Sequence, residues 1–132
     1  MMNNLRKQFP ILANNPDLIY LDNAATTLKP GVVLDKMMEY YTQYGANIHR
    51  GIYPMSERAT EEYERGREKV AGFIGANMAS ELVFTRGTTE SLNLVADGWA
   101  RKNLKAGDEV VVEEVGHHAN LLPWQRLALE MG

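Results

Sequence analysis

The chain has 132 residues, 45% of them apolar and 23% charged, with a formal net charge of −3, which suits one globular domain or part of one and excludes a disordered tract. The charge gives no basic excess with which to bind nucleic acid, and the absence of cysteine excludes a disulfide framework, a thiolate metal site and a cysteine nucleophile within these residues. No apolar run approaches the roughly 18 residues of a bilayer span, and the start Met1 to Lys7 lacks a signal-peptide core, so no membrane association and a cytoplasmic location are expected.

Residues 3–8 are predicted to form a short helix that ends at Pro10, followed by a turn at Asn14-Asn15-Pro16-Asp17 and a short strand over Leu18 to Leu21. Pro30 suits the first turn of a helix carrying Val33, Leu34, Met37, Met38 and Tyr41 at helical spacing, with Gly45 as its stop. Residues 47–55 read as a loop. Ser56 is placed as the N-cap of a helix that closes at Gly75, with Ala59, Tyr63, Val70, Phe73 and Ile74 as its inward stripe and Glu61 paired to Arg65 outside. Glu81 to Thr85 is predicted as a strand, and Leu92, Val95, Ala96 and Trp99 as the buried face of a helix beginning near Thr89. After a turn at Lys105 to Asp108, the β-branched run Val110 to Val112 is predicted as a buried strand, with a last helix from about Asn120 to Glu130. Strand, helix, strand, helix gives an α/β class, with the strands near 82–85 and 109–113 in one sheet.

Four stretches carry residues suited to chemistry. Arg86-Gly87-Thr88-Thr89-Glu90 joins a predicted strand to a helix start, where unpaired N–H groups, the helix dipole and two hydroxyls would accept a phosphate; a plain cap by Thr88 is the competing reading. Gly116-His117-His118-Ala119-Asn120 lies beyond the second predicted strand, where ligands of open α/β sheets gather. Adjacent histidines point in different directions and no cysteine is present, so zinc is not expected; a ring packed on a planar cofactor stands beside an ordinary backbone-bonded histidine. Asn23, Ala24 and Ala25 follow the first strand in a tight turn, and His49 with Arg50 offers an imidazole and a cation that can meet a carboxylate.

Together these motifs resemble the class V aminotransferase family, and within it the cysteine desulfurases of the sulfur-mobilisation (Suf) type. Tyr20 to Thr27, Asn47 to Gly51, Glu81 to Glu90 and His117 to Gln125 occur in family order and spacing, and the resemblance covers essentially the whole chain. It implies the N-terminal part of the large domain of a fold type I transferase that uses pyridoxal 5'-phosphate, with residues 1–55 lining the active-site entrance and residues 56–132 beginning the cofactor-binding domain. Thr88, Thr89 and His117 would bind the cofactor, His117 also assisting proton transfer; Asn23, Ala24, Ala25, His49 and Arg50 would line the substrate entrance. The implied reaction converts L-cysteine to L-alanine and passes the sulfur to an enzyme cysteine as a persulfide. A sulfur-acceptor protein, a role in iron–sulfur cluster assembly and a homodimer or other homo-oligomer are further implications.

Two departures qualify the resemblance. The family commonly has an acid before its double histidine, where this chain has Gly116. The family's Schiff-base lysine, the acid paired with the pyridine nitrogen, the substrate-binding arginine and the persulfide cysteine lie beyond these motifs, and neither Lys102 nor Lys105 sits in a matching pattern. The chain alone is therefore expected to be inactive. Selenocysteine lyase or transaminase chemistry, and a non-catalytic phosphate-binding or interaction module, remain as alternatives.

Overall fold

The computed structural model describes residues 2–132, and these form two compact units that adjoin in sequence at Leu82 and Val83. In the first, α1 (Met2–Arg6) is followed by α2 (Pro10–Asn14). Pro10 does not simply end a helix, as expected. It opens the next one, because at a first helical position its missing N–H has no partner to lose. Arg6 gathers the turn after α2, its Nη2 lying within hydrogen-bond distance of the carbonyls of Asn15 at 3.1 Å, Pro16 at 2.9 Å and Leu18 at 2.8 Å.

Helix α3 (Gly31–Glu39) widens into a π-helical turn, Tyr40–Tyr44, that stops at Gly45. The wider turn shifts the helical register, and the inward residue is Tyr44, at 3% exposure; the expected stripe Val33, Leu34, Met37, Met38 and Tyr41 is exposed. The Arg58 guanidinium stands 4.4 Å from the Tyr44 ring centre and the Lys36 ammonium 5.4 Å. Glu39 pairs with both cations, and Glu62 meets Lys36 at 2.9 Å. The Lys36 hydrogen bond accordingly holds the Glu62 carboxyl below its ordinary range.

Helix α4 (Pro54–Ile74) begins two residues before the expected cap, with Pro54 in its first turn. Ser56 is consequently not the N-cap. It is fully buried, and it spends its hydroxyl on the preceding loop: Oγ donates to the Asn47 carbonyl at 2.6 Å and accepts from the Gly51 N–H at 3.1 Å. The other end closes at Gly75 as expected. Its φ of +78° suits glycine, and Ala76 N–H reaches back to the Ala71 carbonyl at 2.9 Å. Ala59 and Ala71 are buried, whereas Val70, Phe73 and Ile74 are exposed, Phe73 at 91%; the inward edge is made of alanines, not of the large apolar stripe. Arg65 pairs with Glu62 at 2.9 Å instead of Glu61. Arg67 Nε donates to Ala79 and Leu82 carbonyls at 2.9 and 3.1 Å, tying α4 to a 3₁₀ turn at Ala79–Glu81.

In the second unit, α5 (Thr88–Leu94) runs through a π-helical stretch, Val95–Ala100, into α6 (Arg101–Asn103). A 3₁₀ turn at His118–Asn120 leads to α7 (Leu122–Met131), which packs on the π-helical stretch. Ala96 and Ala100 are wholly buried and Leu127 is 3% exposed; small side chains at the first two positions allow close approach. Ala96 lies inside as expected, whereas Val95 and Trp99, expected inside as well, are exposed; the extra residue of the wide turn brings Ala100 inward in place of Trp99. Around this seam Asp97 accepts from Arg126 at 2.7 Å and Arg101 at 3.2 Å, and Arg101 reaches Glu130 at 2.5 Å. The Arg126 and then the Arg101 guanidinium hold the Asp97 carboxyl below its ordinary value.

The expected strands are where the structure departs most from the sequence. Among the described residues none forms a strand, and the segments 18–21, 82–85 and 109–113 carry no ladder. A β-branched run signals fitness for a pleated surface covered on its faces, and it pairs only when a neighbouring strand is supplied; here Val111 is 96% exposed.

Two glycines should respond oppositely to alanine. At Gly51 an added Cβ would sit 2.4 Å from Ser56 Oγ, whereas at Gly66, exposed inside α4, nothing lies within 4 Å. Gly51→Ala is expected to lower stability by about 1–3 kcal/mol through overpacking. Gly66→Ala is expected to raise it by about 0.5–1 kcal/mol through helix propensity. Urea denaturation midpoints check both signs.

Candidate functional site

The helix start at residues 86–91 is ordered by its own side chains. Gly87 is the N-cap and Thr88 the first helical residue, so Thr88 is not the cap. Glu90 reaches back, accepting from the Arg86 N–H at 2.7 Å and from its guanidinium at 3.2 Å, a variation on the capping box in which a third-position acid satisfies a donor before the helix. Thr85 Oγ1 meets Ser91 Oγ at 2.7 Å and donates to the Gly87 carbonyl at 3.2 Å. Thr88 and Thr89 are exposed, and their hydroxyls take no part in this bonding among the described residues. The first helical N–H groups, without intrahelical partners, leave the helix start able to accept an anion.

A groove of about 370 Å³ opens beside it, lined by Thr89, Asn93, His117, His118, Pro123 and Arg126 among others. This is within the range of small-ligand sites, about 300–1,000 Å³. None of its lining residues is acidic. Two residues singled out from the sequence, Thr89 and His117, thus share one surface; Thr88 does not line it. His117 precedes the 3₁₀ turn, and its Nδ1 accepts from the Ala119 N–H at 3.0 Å. That bond fixes the tautomer, leaving the ring proton on Nε2. The Gly116 N–H bonds the Glu113 carbonyl at 3.2 Å, and a Cβ at Gly116 would lie 3.1 Å from that same oxygen. Glycine in place of an acid therefore permits a tight turn directly before the histidine.

Asn93 and Arg126 belong to the groove but were not singled out by sequence. Asn93 follows Thr89 by one helical turn and donates to its carbonyl at 2.8 Å, so helical periodicity carried a signal for it. Arg126 arrives only through packing of α7. Asp97 largely neutralises it, and the anion-accepting character lies mainly with the helix start.

The remaining expected residues lie in the first unit. Asn23, Ala24 and Ala25 form a turn in which Ala25 and Thr26 N–H groups bond the Asp22 carbonyl at 3.2 and 3.1 Å, while the Tyr20 hydroxyl donates to the Thr26 carbonyl at 2.6 Å. His49 has φ +62°, its Nε2 lying 3.2 Å from Glu64 Oε1 and its ring edge-on to Tyr63. Arg50 is exposed and forms no ion pair among the described residues. Among these same residues no cluster of three or more His, Asp or Glu side chains could hold a metal ion, and no helix is long and apolar enough to cross a membrane.

Residues 19–132 match the aminotransferase class-V family. Similar proteins include a probable cysteine desulfurase of Vibrio cholerae, 49% identical over 97% of this chain and 32% of its own length. Another, from Synechocystis sp., is 51% identical over 97% of this chain and 31% of its own length. The apo structure of the cysteine desulfurase from Thermococcus onnurineus NA1 superposes with a TM-score of 0.89 at 49% identity, covering 98% of this chain and 31% of that one. The chain thus spans about a third of the length of these relatives.

The helix start has a definite pH signature. Its Arg86 partner, by guanidinium and then by backbone N–H, holds the Glu90 carboxyl below its ordinary 4.5. Stabilisation from a lowered carboxyl is complete above the unfolded value and is lost as pH falls through the folded one. The turn at 86–90 is therefore expected to stay ordered at neutral pH and to fray on acidification. An NMR titration should place the Glu90 midpoint below 4.5, and Arg86→Ala should raise it.

Proposed function

The chain belongs to the aminotransferase class-V family, and from that premise we propose that it carries the N-terminal portion of a pyridoxal-phosphate-dependent cysteine desulfurase of the sulfur-mobilisation type. The observation that carries this reading is the groove shared by Thr89 and His117 at the start of α5. The names of the relatives favour desulfurase chemistry over the other class V reactions. In this reading residues 1–55 line the substrate entrance and residues 56–132 begin the cofactor-binding domain, with the segments 82–85 and 109–113 as sheet strands in the assembled protein.

The residues present suit the cofactor. A phosphate needs N–H and hydroxyl donors, which the helix start with Thr88 and Thr89 provides; the Glu90 carboxylate in that turn is bonded back to Arg86, and the groove alongside is lined by no acid. A planar ring needs a flat partner, and we assign that role to His117, whose imidazole is held in one tautomer by the Ala119 N–H. When bound, pyridoxal phosphate supplies the electron sink for bond cleavage next to the amino group of L-cysteine. His117 holds a proton on Nε2 for transfer near the reacting centre. Asn23, Ala24, Ala25, His49 and Arg50 line the way in, the Arg50 cation attracting the amino-acid carboxylate. Sulfur transfer to an enzyme cysteine and on to an acceptor protein for iron–sulfur cluster assembly would require parts of the protein other than these residues, which contain no cysteine. A cytoplasmic homo-oligomer is part of the same proposal, the exposed Phe73 and Val111 being surfaces that favour association.

Two assays test the reading. The 132-residue chain with added pyridoxal phosphate should release sulfide and form alanine from cysteine no faster than the free cofactor, because it has no thiolate nucleophile; a rate above that background overturns the division of labour. In the full-length protein carrying this segment, His117→Ala should weaken the cofactor or shift its absorption more than His118→Ala. Equal effects, or the reverse order, would remove His117 from its assigned role.

A further inference from the structure

The loop 47–51 is fastened to α4 by side chains placed at successive turns of that helix. Ser56 is fully buried between the Asn47 carbonyl, at 2.6 Å, and the Gly51 N–H, at 3.1 Å. One turn on, Thr60 Oγ1 accepts the His49 N–H at 3.0 Å while donating to the Ser56 carbonyl at 2.7 Å. A further turn on, Glu64 Oε1 lies 3.2 Å from His49 Nε2, and Arg67 Nη1 steadies the carboxylate by donating to both of its oxygens at 3.3 Å. The Tyr63 ring meets the imidazole edge-on at 5.9 Å.

These contacts converge on a residue with unusual backbone geometry. His49 has φ +62° and, among the described residues, is the non-glycine residue with positive φ. L-residues avoid this region unless their surroundings hold them there. Its neighbour Arg50 is exposed and makes no ion pair among the described residues. The imidazole is thus used to anchor the loop on α4, while the guanidinium is left available.

We propose that Ser56, Thr60 and Glu64 are positioning residues that hold His49 in its left-handed conformation and so present Arg50 to an anionic group. Under the function proposed above, on which this last step rests, that group is the carboxylate of an amino-acid substrate at the entrance, ahead of the separate substrate-binding arginine that the resemblance places elsewhere in the protein. The three side chains act through the loop and touch no substrate themselves.

Thr60→Val removes the acceptor for the His49 N–H while keeping the side-chain shape, and Thr60→Ser restores the hydroxyl. In the 132-residue chain, hydrogen exchange at the His49 amide should accelerate about tenfold in Thr60→Val, the loss expected for one hydrogen bond, and return towards the parent rate in Thr60→Ser. Glu64→Gln provides a milder second variant, expected to accelerate the same amide less. In the full-length protein, Thr60→Val should raise KM for cysteine by about three- to tenfold with a smaller fall in kcat, the pattern of lost binding, and Thr60→Ser should reverse it. An unchanged exchange rate in Thr60→Val overturns the latch whatever the reaction. Faster exchange with unchanged KM, in an enzyme that turns over cysteine, overturns the presentation of Arg50. Absence of cysteine turnover in the unsubstituted full-length protein would instead count against the desulfurase reading, leaving the exchange result to decide the latch.

Discussion

An extended backbone segment that has no strand beside it must find hydrogen-bond partners elsewhere, and this constraint governs the non-helical parts of the chain. The partners are side chains. Arg6 serves the carbonyls of residues 15, 16 and 18, Tyr20 those of the 22–27 turn, and Arg67 those of Ala79 and Leu82. Ser56 and Thr60 do the same for the loop that carries His49 and Arg50. Where no such partner reaches, as along Val110 to Val112, the segment keeps its apolar composition but has no ladder.

The same division explains how much of the fold was legible in the sequence. Helix ends governed by local chemistry were readable: Gly45 and Gly75 stop their helices, and α7 begins close to its expected place. Interior faces were less readable, because the two π-helical turns rotate the register in a way that a fixed helical period cannot anticipate; hence Tyr44 and Ala100 are buried in preference to Tyr41 and Trp99, while Ala96 lies inside as the period indicates. The expected strand segments carry no ladder here for another reason. Their stability depends on neighbours distant in sequence, and a β-branched run records only readiness for them.

For the candidate site, the pattern at Thr88 and Thr89 was legible because a glycine before a helix start announces its own geometry, and His117 because two histidines in a turn are conspicuous. The supporting residues were hidden. Glu90 holds the turn through a reach of four residues, and Arg126 comes to the groove only when α7 packs on the π-helical stretch. That packing also limits how far Arg126 can attract an anion, since Asp97 already binds it through both carboxylate oxygens at 2.7 Å. The electrostatic preference of the groove therefore derives from helix dipole and backbone donors more than from net side-chain charge.

The wide turns at Tyr40–Tyr44 and Val95–Ala100 have a consequence for how such a chain can change length. A π-helical turn accommodates an additional residue relative to an α-helical register without interrupting the helix. Deleting a residue there can relax the turn to ordinary α-helix, whereas deleting one inside α4 would rotate all later side chains about the axis and misplace Ser56, Thr60 or Glu64 relative to the loop. Single-residue gain and loss is thereby channelled into two helical sites, leaving the spacing of the anchoring residues on α4 intact.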